Sequence, residues 1–187
     1  MLGLSVIMKP TTLLKQQHRK VTAALKKMEK AKRASRLELL EEISNDLAAH
    51  LAIEQEIFYP AIVELDEEMI QEAFEEHSLA ELALKRLRAT DADSEAFRPR
   101  CVALRELIEH HIEEEEEYLF PKVEKEIDDG ELEALGARMK TRFEEVVAQG
   151  FDASVPDAMT QTSADVSKSH LEGPEGLERY LGDAHVH

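Results

Sequence analysis

The sequence predicts an all-α protein: an antiparallel up-down-up-down four-helix bundle with an additional C-terminal helix and a disordered tail. The 187 residues are dominated by the helix formers Ala, Leu, Glu, Lys and Arg, with seven Gly, six Pro and no Trp. Apolar residues recur about every 3.6 positions in five segments, as they do on one face of a helix. Short links between the first four segments favour antiparallel neighbours.

The first two helices are predicted over residues 12–31 and from Ser35 onward. Ser35 and Glu38 have the spacing of a capping box, which predicts a helix start at Ser35. The inward stripe of the first helix is Leu14, His18, Val21, Leu25 and Met28. The inward stripe of the second is Leu39, Ile43, Leu47, His50, Glu54, Ile57 and Ala61.

The third helix is predicted to begin at the N-cap Asp66 and to end at the turn-forming residues 90–94. Its inward stripe is Ile70, Phe74, His77, Glu81, Leu84 and Leu87. The fourth covers about residues 95–127 and is predicted to stop at residues 128–130, Asp-Asp-Gly. Its inward stripe is Cys101, Leu104, Ile108, His111, Glu115, Leu119 and Val123.

The domain organisation predicted from these elements has three parts. Residues 10–128 form the bundle, residues 131–149 form the additional helix, and residues 153–187 form a mostly disordered tail. The tail is assigned from its Ser, Thr, Asp, Pro and Gly content and its weak apolar period, with one short turn predicted at 177–181. A protein partner, if there is one, is expected to use this tail.

Charge and composition exclude several classes of function. The net charge is −17, yet residues 1–33 carry nine basic side chains and one acidic, so the remainder is strongly acidic. Such acidity argues against nucleic-acid binding. A single cysteine, Cys101, excludes an internal disulfide, and no apolar run approaches the roughly 20 residues that span a bilayer. We therefore expect a cytoplasmic protein without a membrane or nucleic-acid partner.

One segment occurs twice at the same spacing. His50–Pro60 reads HLAIEQEIFYP and His111–Pro121 reads HIEEEEEYLFP. Each copy has a Glu four residues after its His and a Pro ten residues after it. A lone inward His precedes the copies by 32 and 34 residues. The pattern predicts a metal site with the ligands His18, His50, Glu54, His77, His111 and Glu115.

The chemistry of these residues explains why a metal is expected. A His and a Glu four residues apart lie on one helix face, and here that face is otherwise apolar. A buried carboxylate is costly unless it is paired or bound to a metal. Four His and two Glu are too many for one tetrahedral zinc and too rich in nitrogen for calcium or magnesium. Two iron ions, with both Glu and an oxo or hydroxo group as bridges, fit best; manganese and zinc are alternatives.

Two details of the ligand set stay open. His110 and Glu114 also have four-residue spacing, but only His111 lies ten residues before its proline as His50 does, which favours His111 with Glu115. Glu81 follows His77 by four residues without a counterpart in the first half. It is a candidate seventh metal ligand, an acceptor for a ligand imidazole, or a salt-bridge partner.

Two further expectations concern the repeats. Pro60 and Pro121 each remove a backbone hydrogen bond, so each helix should kink or loosen just beyond the site. Tyr118 is expected beside the site.

The six ordered ligands and the flanking "IFYP" and "YLFP" segments resemble the hemerythrin-like HHE cation-binding domain family. This resemblance implies a non-haem di-iron centre with carboxylate bridges. It also implies one of the roles known among relatives: reversible dioxygen binding, oxygen or redox sensing, iron handling, or responses to nitric oxide or peroxide. Oxygen-carrying hemerythrins have a second His at the position of Glu81, so the resemblance favours sensing, storage or peroxide chemistry over oxygen carriage.

The function expected from these observations is a di-iron protein that binds or senses dioxygen, peroxide or nitric oxide. The alternative is a di-iron oxidase or peroxidase, or an iron-handling protein, in oxidative or nitrosative stress. Enzyme activity ranks below binding because no further acid and base pair can be read from the sequence. A structural metal site in an interaction protein is the third hypothesis.

Overall fold

The described residues of the protein, 8–156 and 162–163 of a computed structural model, are almost entirely helical and contain no β-strand. The all-α class is therefore confirmed. The helices are α1 (Pro10–Lys30), α2 (Arg33–Ile53), α3 (Tyr59–Ile62), α4 (Glu67–Arg88), α5 (Phe97–Glu114), α6 (Phe120–Glu126), α7 (Asp129–Gln149) and α8 (Phe151–Ser154). The predicted tail lies mostly outside the described residues, as does the turn at 177–181.

Local sequence accounts for most helix ends. Pro10 opens α1, where its missing N–H would have had no helical partner. Asp66 caps α4 as predicted: its side chain accepts a hydrogen bond from the backbone N–H of Met69 at 3.2 Å. The start predicted at Ser35 is wrong, because α2 already begins at Arg33, directly after the extended Lys32 and without a side-chain cap.

The Asp-Asp-Gly segment begins a helix instead of only ending one. Asp128 Oδ1 accepts a hydrogen bond from the N–H of Gly130 at 2.8 Å and caps α7. The preceding helix α6 ends at Glu126, and Ile127 is extended. The fifth helix thus begins two residues earlier than predicted.

Four long helices enclose the core. α1 packs against α2 and α5, α4 packs against α5 and α2, and α7 lies on the outside of α1 and α2. Two large apolar clusters fill most of the interior, and a small third one lies between α2 and α7. Leu14 and Phe74 belong to one large cluster, whereas Val21 and Ala80 belong to the other. A layer between the two large clusters is where polar side chains enter the core; the up-down-up-down order of the helices stays a prediction.

Two π-helical turns interrupt the helices next to the repeated prolines. They span Glu54–Phe58 and Glu115–Leu119, and each is followed by an aromatic residue and then proline. Each turn closes with a hydrogen bond from the N–H of that aromatic residue to the carbonyl of the Glu five residues before. A proline ring crowds the preceding turn, and a widened turn relieves the crowding. The loosening expected at Pro60 and Pro121 takes this form.

Candidate metal centre

Six of the seven predicted ligands meet in the polar layer of the core. The four histidines come from α1, α2, α4 and α5, and the two glutamates open the two π-helical turns. Each of the six residues is at most 7% exposed. They are His18, His50, Glu54, His77, His111 and Glu115.

The histidines form two groups that share a carboxylate. His18 and His50, the first group, have ring nitrogens within 4.8 Å of each other and of a Glu54 oxygen. His77 and His111, the second group, stand in the same relation to Glu54. Glu54 Oε2 lies 3.2 Å from Nε2 of His50 and 3.4 Å from Nε2 of His77. One carboxylate oxygen therefore lies between the two groups.

Glu115 repeats this arrangement with the other two histidines. Its Oε2 lies 3.3 Å from Nε2 of His18 and 3.7 Å from Nε2 of His111. Each glutamate thus contacts one histidine of each group.

The first group is held from outside by hydrogen bonds to Nδ1. Nδ1 of His18 lies 2.8 Å from Oε1 of Glu116, and Nδ1 of His50 lies 2.8 Å from Oε1 of Gln17. Both oxygens can only accept, so each Nδ1 carries a proton. The lone pair of each neutral ring is then on Nε2, which faces the centre.

The second group is held in the same way at one ring and differently at the other. Nδ1 of His111 donates to Oε2 of Glu76 at 2.8 Å. Nδ1 of His77 lies 3.0 Å from the amide nitrogen of Gln55, so that nitrogen donates and Nδ1 accepts. The Nε2 atoms of the two rings are 3.0 Å apart. His77 therefore carries its proton on Nε2 and donates it to Nε2 of His111, which accounts for both contacts of the His77 ring.

Several polar atoms of this layer lack hydrogen-bond partners among the described residues. They are both carboxylate oxygens of Glu54, Oε2 of Glu115 and Nε2 of His18. Buried polar groups without a partner cost free energy, about 1–3 kcal/mol each and more for charges. Imidazole nitrogens and carboxylate oxygens together suit first-row metal ions. The residues therefore fit metal cations of this kind, which would satisfy these atoms.

The two glutamates differ in protonation. Burial, and then the negative charge of Glu115, raises the pKa of Glu54 well above its usual range. Burial acts in the same direction on Glu115, but the positive charge that His111 can carry and the proximity of His18 outweigh it, so the pKa of Glu115 is lowered. The two pKa values move apart because a second negative charge in this buried layer is unfavourable.

The histidines also differ in basicity. Burial, reinforced by neighbouring imidazoles, lowers the pKa of both His50 and His77 well below the usual value. Burial likewise opposes the charged form of His111, but the carboxylates of Glu115 and Glu76 outweigh it and raise its pKa. His50 and His77 are thus neutral at pH 7, the form in which imidazole binds a metal.

Tyr59 is a site residue that the sequence did not reveal. Its hydroxyl donates to Oε1 of Glu115 at 3.0 Å and lies 3.1 Å from Nε2 of His77 and 3.5 Å from Nε2 of His111. In an uninterrupted α-helix Tyr59 would point about 140° away from Glu54. In a π-helical turn the fifth residue, not the fourth, bonds back to the first, and this brings Tyr59 round to the site. The proline directly after Tyr59 was the available signal.

The aromatic residues of the second copy behave differently. Phe120, which corresponds to Tyr59, stacks on the ring of His18 with an interplanar angle of 10° and a centroid separation of 5.8 Å. Tyr118, expected beside the site, is 59% exposed. The prediction for Tyr118 is wrong because the inward aromatic position is the one directly before the proline.

Glu81 lies outside the cluster of six. Its Oε1 is 2.9 Å from Nζ of Lys85, and its Oε2 accepts hydrogen bonds from the backbone N–H of Ser163, at 2.9 Å, and from the hydroxyl of Ser163. Thr162 contacts Ser78 next to this pair at 3.1 Å between the hydroxyl oxygens. Glu81 thus makes the salt bridge that is one of its three predicted roles, and its role as a seventh ligand stays a prediction.

His110 and Glu114 form a separate group at the surface. The His110 side chain is 63% exposed, and its Nε2 lies 3.6 Å from both Glu76 and Glu114. The buried pair is His111 with Glu115, the register that the proline spacing favours.

The fold and the site define a class: an all-helical protein with a buried layer of imidazoles and carboxylates that can hold metal cations. The family model of the hemerythrin HHE cation binding domain matches residues 9–123. The chain therefore belongs to this family, as the sequence resemblance predicted, and metal-cation binding is the property that the family shares.

Two known proteins place the chain among relatives. A crystal structure of a hemerythrin HHE cation binding domain-containing protein from Mycobacterium kansasii superposes with a TM-score of 0.68 at 24% identity, covering 92% of this chain and 98% of that one. This likeness shows the fold. A DNA nickase from Nostoc sp. is 23% identical over 130 residues, which are 68% of this chain and 37% of that protein. The chain thus spans little more than a third of this relative's length.

None of the helices within the described residues combines the length and the apolar character needed to cross a bilayer.

Proposed function

We propose that the protein is a non-haem di-iron protein of hemerythrin type that binds or senses dioxygen or a related small redox ligand, such as peroxide or nitric oxide. The observation that supports this most is the pair of buried carboxylates, each with an oxygen between histidines of both groups. His18 and His50 would hold one ion, His77 and His111 the other, and Glu54 and Glu115 would bridge them.

Iron accounts for the ligand set better than its alternatives. Two imidazoles and two carboxylate oxygens would leave room for a further ligand on an ion that prefers five or six ligands. When bound, ferrous iron supplies the electrons and the open positions that dioxygen or peroxide needs. Manganese and zinc accept the same donors and are tested alongside. A cytoplasmic location and the lack of a nucleic-acid partner follow from composition and charge and stay predictions.

A small cavity beside the site suits a small ligand. Its volume is about 10 Å³, roughly the room that one water-sized molecule requires. His50, His77 and His111 form one side of it, and the rest is mostly apolar: Val21, Leu47, Leu51, Ala80, Ile108 and Ile112. A cavity of this size has no room for an organic substrate, which supports a small inorganic ligand.

Tyr59 favours a second candidate function, that of a di-iron oxidase or peroxidase. Its buried hydroxyl lies next to Glu115 and the second group, and burial together with the charge of Glu115 raises the pKa of the phenol. The phenol therefore keeps its proton and can donate a hydrogen bond to a ligand bound there. Binding alone does not require a proton donor, whereas turnover of peroxide does.

The test begins with anaerobic loading of the purified protein with ferrous iron. Two irons per chain and a new visible absorption band on exposure to dioxygen are expected. A single iron per chain, or no spectral change with dioxygen, peroxide or nitric oxide, would contradict the proposal. Stoichiometric zinc that ferrous iron cannot replace would favour a structural site.

The enzyme alternative is tested with hydrogen peroxide. Many turnovers per iron pair, lost in Tyr59→Phe while the iron content stays the same, would favour the peroxidase. A single reaction per iron pair, equal in both proteins, would favour binding or sensing.

A further inference from the structure

The outer hydrogen bonds of the four imidazoles follow the internal repeat. Gln17 and Glu76 directly precede His18 and His77. Gln17 contacts Nδ1 of His50, and Glu76 contacts Nδ1 of His111, so each contact stays within one half of the repeat. Gln55 and Glu116 stand five residues after His50 and His111. Gln55 contacts Nδ1 of His77, and Glu116 contacts Nδ1 of His18, so each of these contacts joins the two halves. The backbone pattern is therefore the same in both halves.

The chemistry at these equivalent positions is different. The first half supplies two amides, Gln17 and Gln55, and the second half supplies two carboxylates, Glu76 and Glu116. Glu116 contacts His18 of the first group and Glu76 contacts His111 of the second, so each ligand group has one carboxylate partner. The other ring of each group has an amide partner.

A carboxylate and an amide do not act alike on an imidazole. A carboxylate can only accept, so it keeps the proton on Nδ1, leaves the Nε2 lone pair free and makes that nitrogen a stronger donor to a metal. An amide can accept or donate. Gln55 presents its nitrogen to His77, which places the ring proton on Nε2, toward the site. That proton must leave before His77 can bind a metal.

We propose that Glu76 and Glu116 are positioning residues that hold His111 and His18 in the metal-binding tautomer, giving each of the two ions one histidine prepared in advance. This inference rests on the proposed two-ion site. In the second group His111 binds first and His77 completes the site, whereas in the first group His50 is already in the binding tautomer because Gln17 presents its oxygen to Nδ1. For the His77 proton to move to Nδ1, as in His18 and His111, Gln55 must turn its amide oxygen toward the ring or be replaced by Glu.

The partly exposed position of these carboxylates makes the inference testable. The side chains of Glu116 and Glu76 are 33% and 22% exposed, so a neutral amide of the same shape can replace either without burying a new charge. Glu117, which is exposed and directly follows Glu116, makes no hydrogen bond or ion pair to a site residue within the described residues, so Glu117→Gln is the control for the loss of one charge.

The first measurement uses the metal-free protein. Nitrogen-15 NMR of the histidine rings reports the tautomer directly. Wild-type His18 and His111 are expected with the proton on Nδ1 and His77 with it on Nε2. Glu116→Gln should leave a mixture of tautomers at His18 only, Glu76→Gln a mixture at His111 only, and Gln55→Glu should move the His77 proton to Nδ1. Unchanged tautomers in all three variants would overturn the inference.

The second measurement is ferrous-iron affinity, by anaerobic competition with a chelator. Loss of an outer hydrogen-bond partner typically weakens a metal site about 10–100-fold. Glu116→Gln should weaken one of the two ions about tenfold, Glu76→Gln the other, and Gln55→Glu should tighten the second. Equal weakening by Glu117→Gln would show a general charge effect and overturn the inference.

The two measurements separate the inference from the proposed function. If iron does not bind but the tautomers change as expected, the di-iron function fails and the positioning role stands. If two irons bind with affinities that none of the variants changes, the function stands and the positioning role fails.

Discussion

The two halves of the bundle have the same backbone pattern at the site, but the aromatic residue after each π-helical turn carries a hydroxyl in only one of them. Tyr59 and Phe120 occupy equivalent places after the two π-helical turns. Tyr59 crosses to the other half and donates to Glu115, whereas Phe120 has nothing to donate and stacks on His18. Glu115 accordingly has a hydrogen-bond donor, and neither oxygen of Glu54 has one among the described residues.

This difference shows how a repeated scaffold can carry an unsymmetrical site. The pKa of Glu54 is raised and that of Glu115 is lowered, although both are buried and both open a π-helical turn. The asymmetry continues outside, where α7 covers α1 and α2 and its Arg142 pairs with Glu56 at 2.7 and 3.1 Å. Position in the repeat sets where a side chain points, and its identity sets what it does there.

The largest effect is expected where the halves are alike. Glu54→Ala and Glu115→Ala should each abolish iron binding, since each removes a bridge between the groups. The stabilisation that iron gives would be lost, about 4 kcal/mol at a free concentration 1,000-fold above Kd. Iron content and thermal unfolding of the loaded protein are the measurements. Glu114→Ala should change neither; loss of iron in Glu114→Ala but not in Glu115→Ala would mean that the ligand register is wrong by one residue.

The next effect concerns the proton on Glu54. With its pKa raised by folding, the folded metal-free protein keeps a proton that the unfolded chain gives up, so stability falls as pH rises above about 4.5. Glu54→Gln should remove this fall and make the metal-free protein about 3 kcal/mol more stable near pH 8. Urea unfolding with a chelator at pH 5 and pH 8 measures the difference. A variant less stable than wild type at pH 8 would show that Glu54 is ionised without strain.

Tyr59→Phe makes the two halves alike at the centre. The loss of the hydrogen bond to Glu115 should cost about 1.5 kcal/mol in the metal-free protein, because hydrogen bonds to charged groups are worth about 1.5–3 kcal/mol. Chemical denaturation at pH 7 measures the change. An unaltered free energy of unfolding would indicate that the phenol has no net role in stability.

The smallest effect tests the outer asymmetry. Arg142→Gln breaks the ion pair between α7 and Glu56, whose side chains are 29% and 38% exposed. A pair that is partly exposed to water contributes about 0.5 kcal/mol, and less in high salt. Glu117→Gln, at the exposed equivalent of Glu56 in the second half, is the control and should change nothing. Equal losses in both variants would assign the effect to net charge.

The sequence predicted the histidines and glutamates of the site because each lies on an apolar helical stripe and because the prolines fix the register. It missed Tyr59, since a 3.6-residue period places that side chain on the wrong face and only a widened turn brings it inward. It also missed Gln17, Gln55, Glu76 and Glu116. Their positions next to the stripe look like solvated helix surface, and their role depends on neighbours from other helices. Ser35 is not a cap because the chain turns from extended to helical at Lys32, and α2 is already under way at Arg33.

The π-helical turns make the site depend on the number of residues in each turn as well as on their identity. Each turn holds one residue more than an α-helical turn would, so the number of residues between Glu54 and Pro60 determines which side chains face the site. If this turn relaxed to an α-helix with all its residues kept, Tyr59 would swing about 100° away from Glu115, whereas deleting Ile57 would leave Tyr59 four residues after Glu54 and on the same face. The extra residue in each turn therefore decides which aromatic side chain reaches the site.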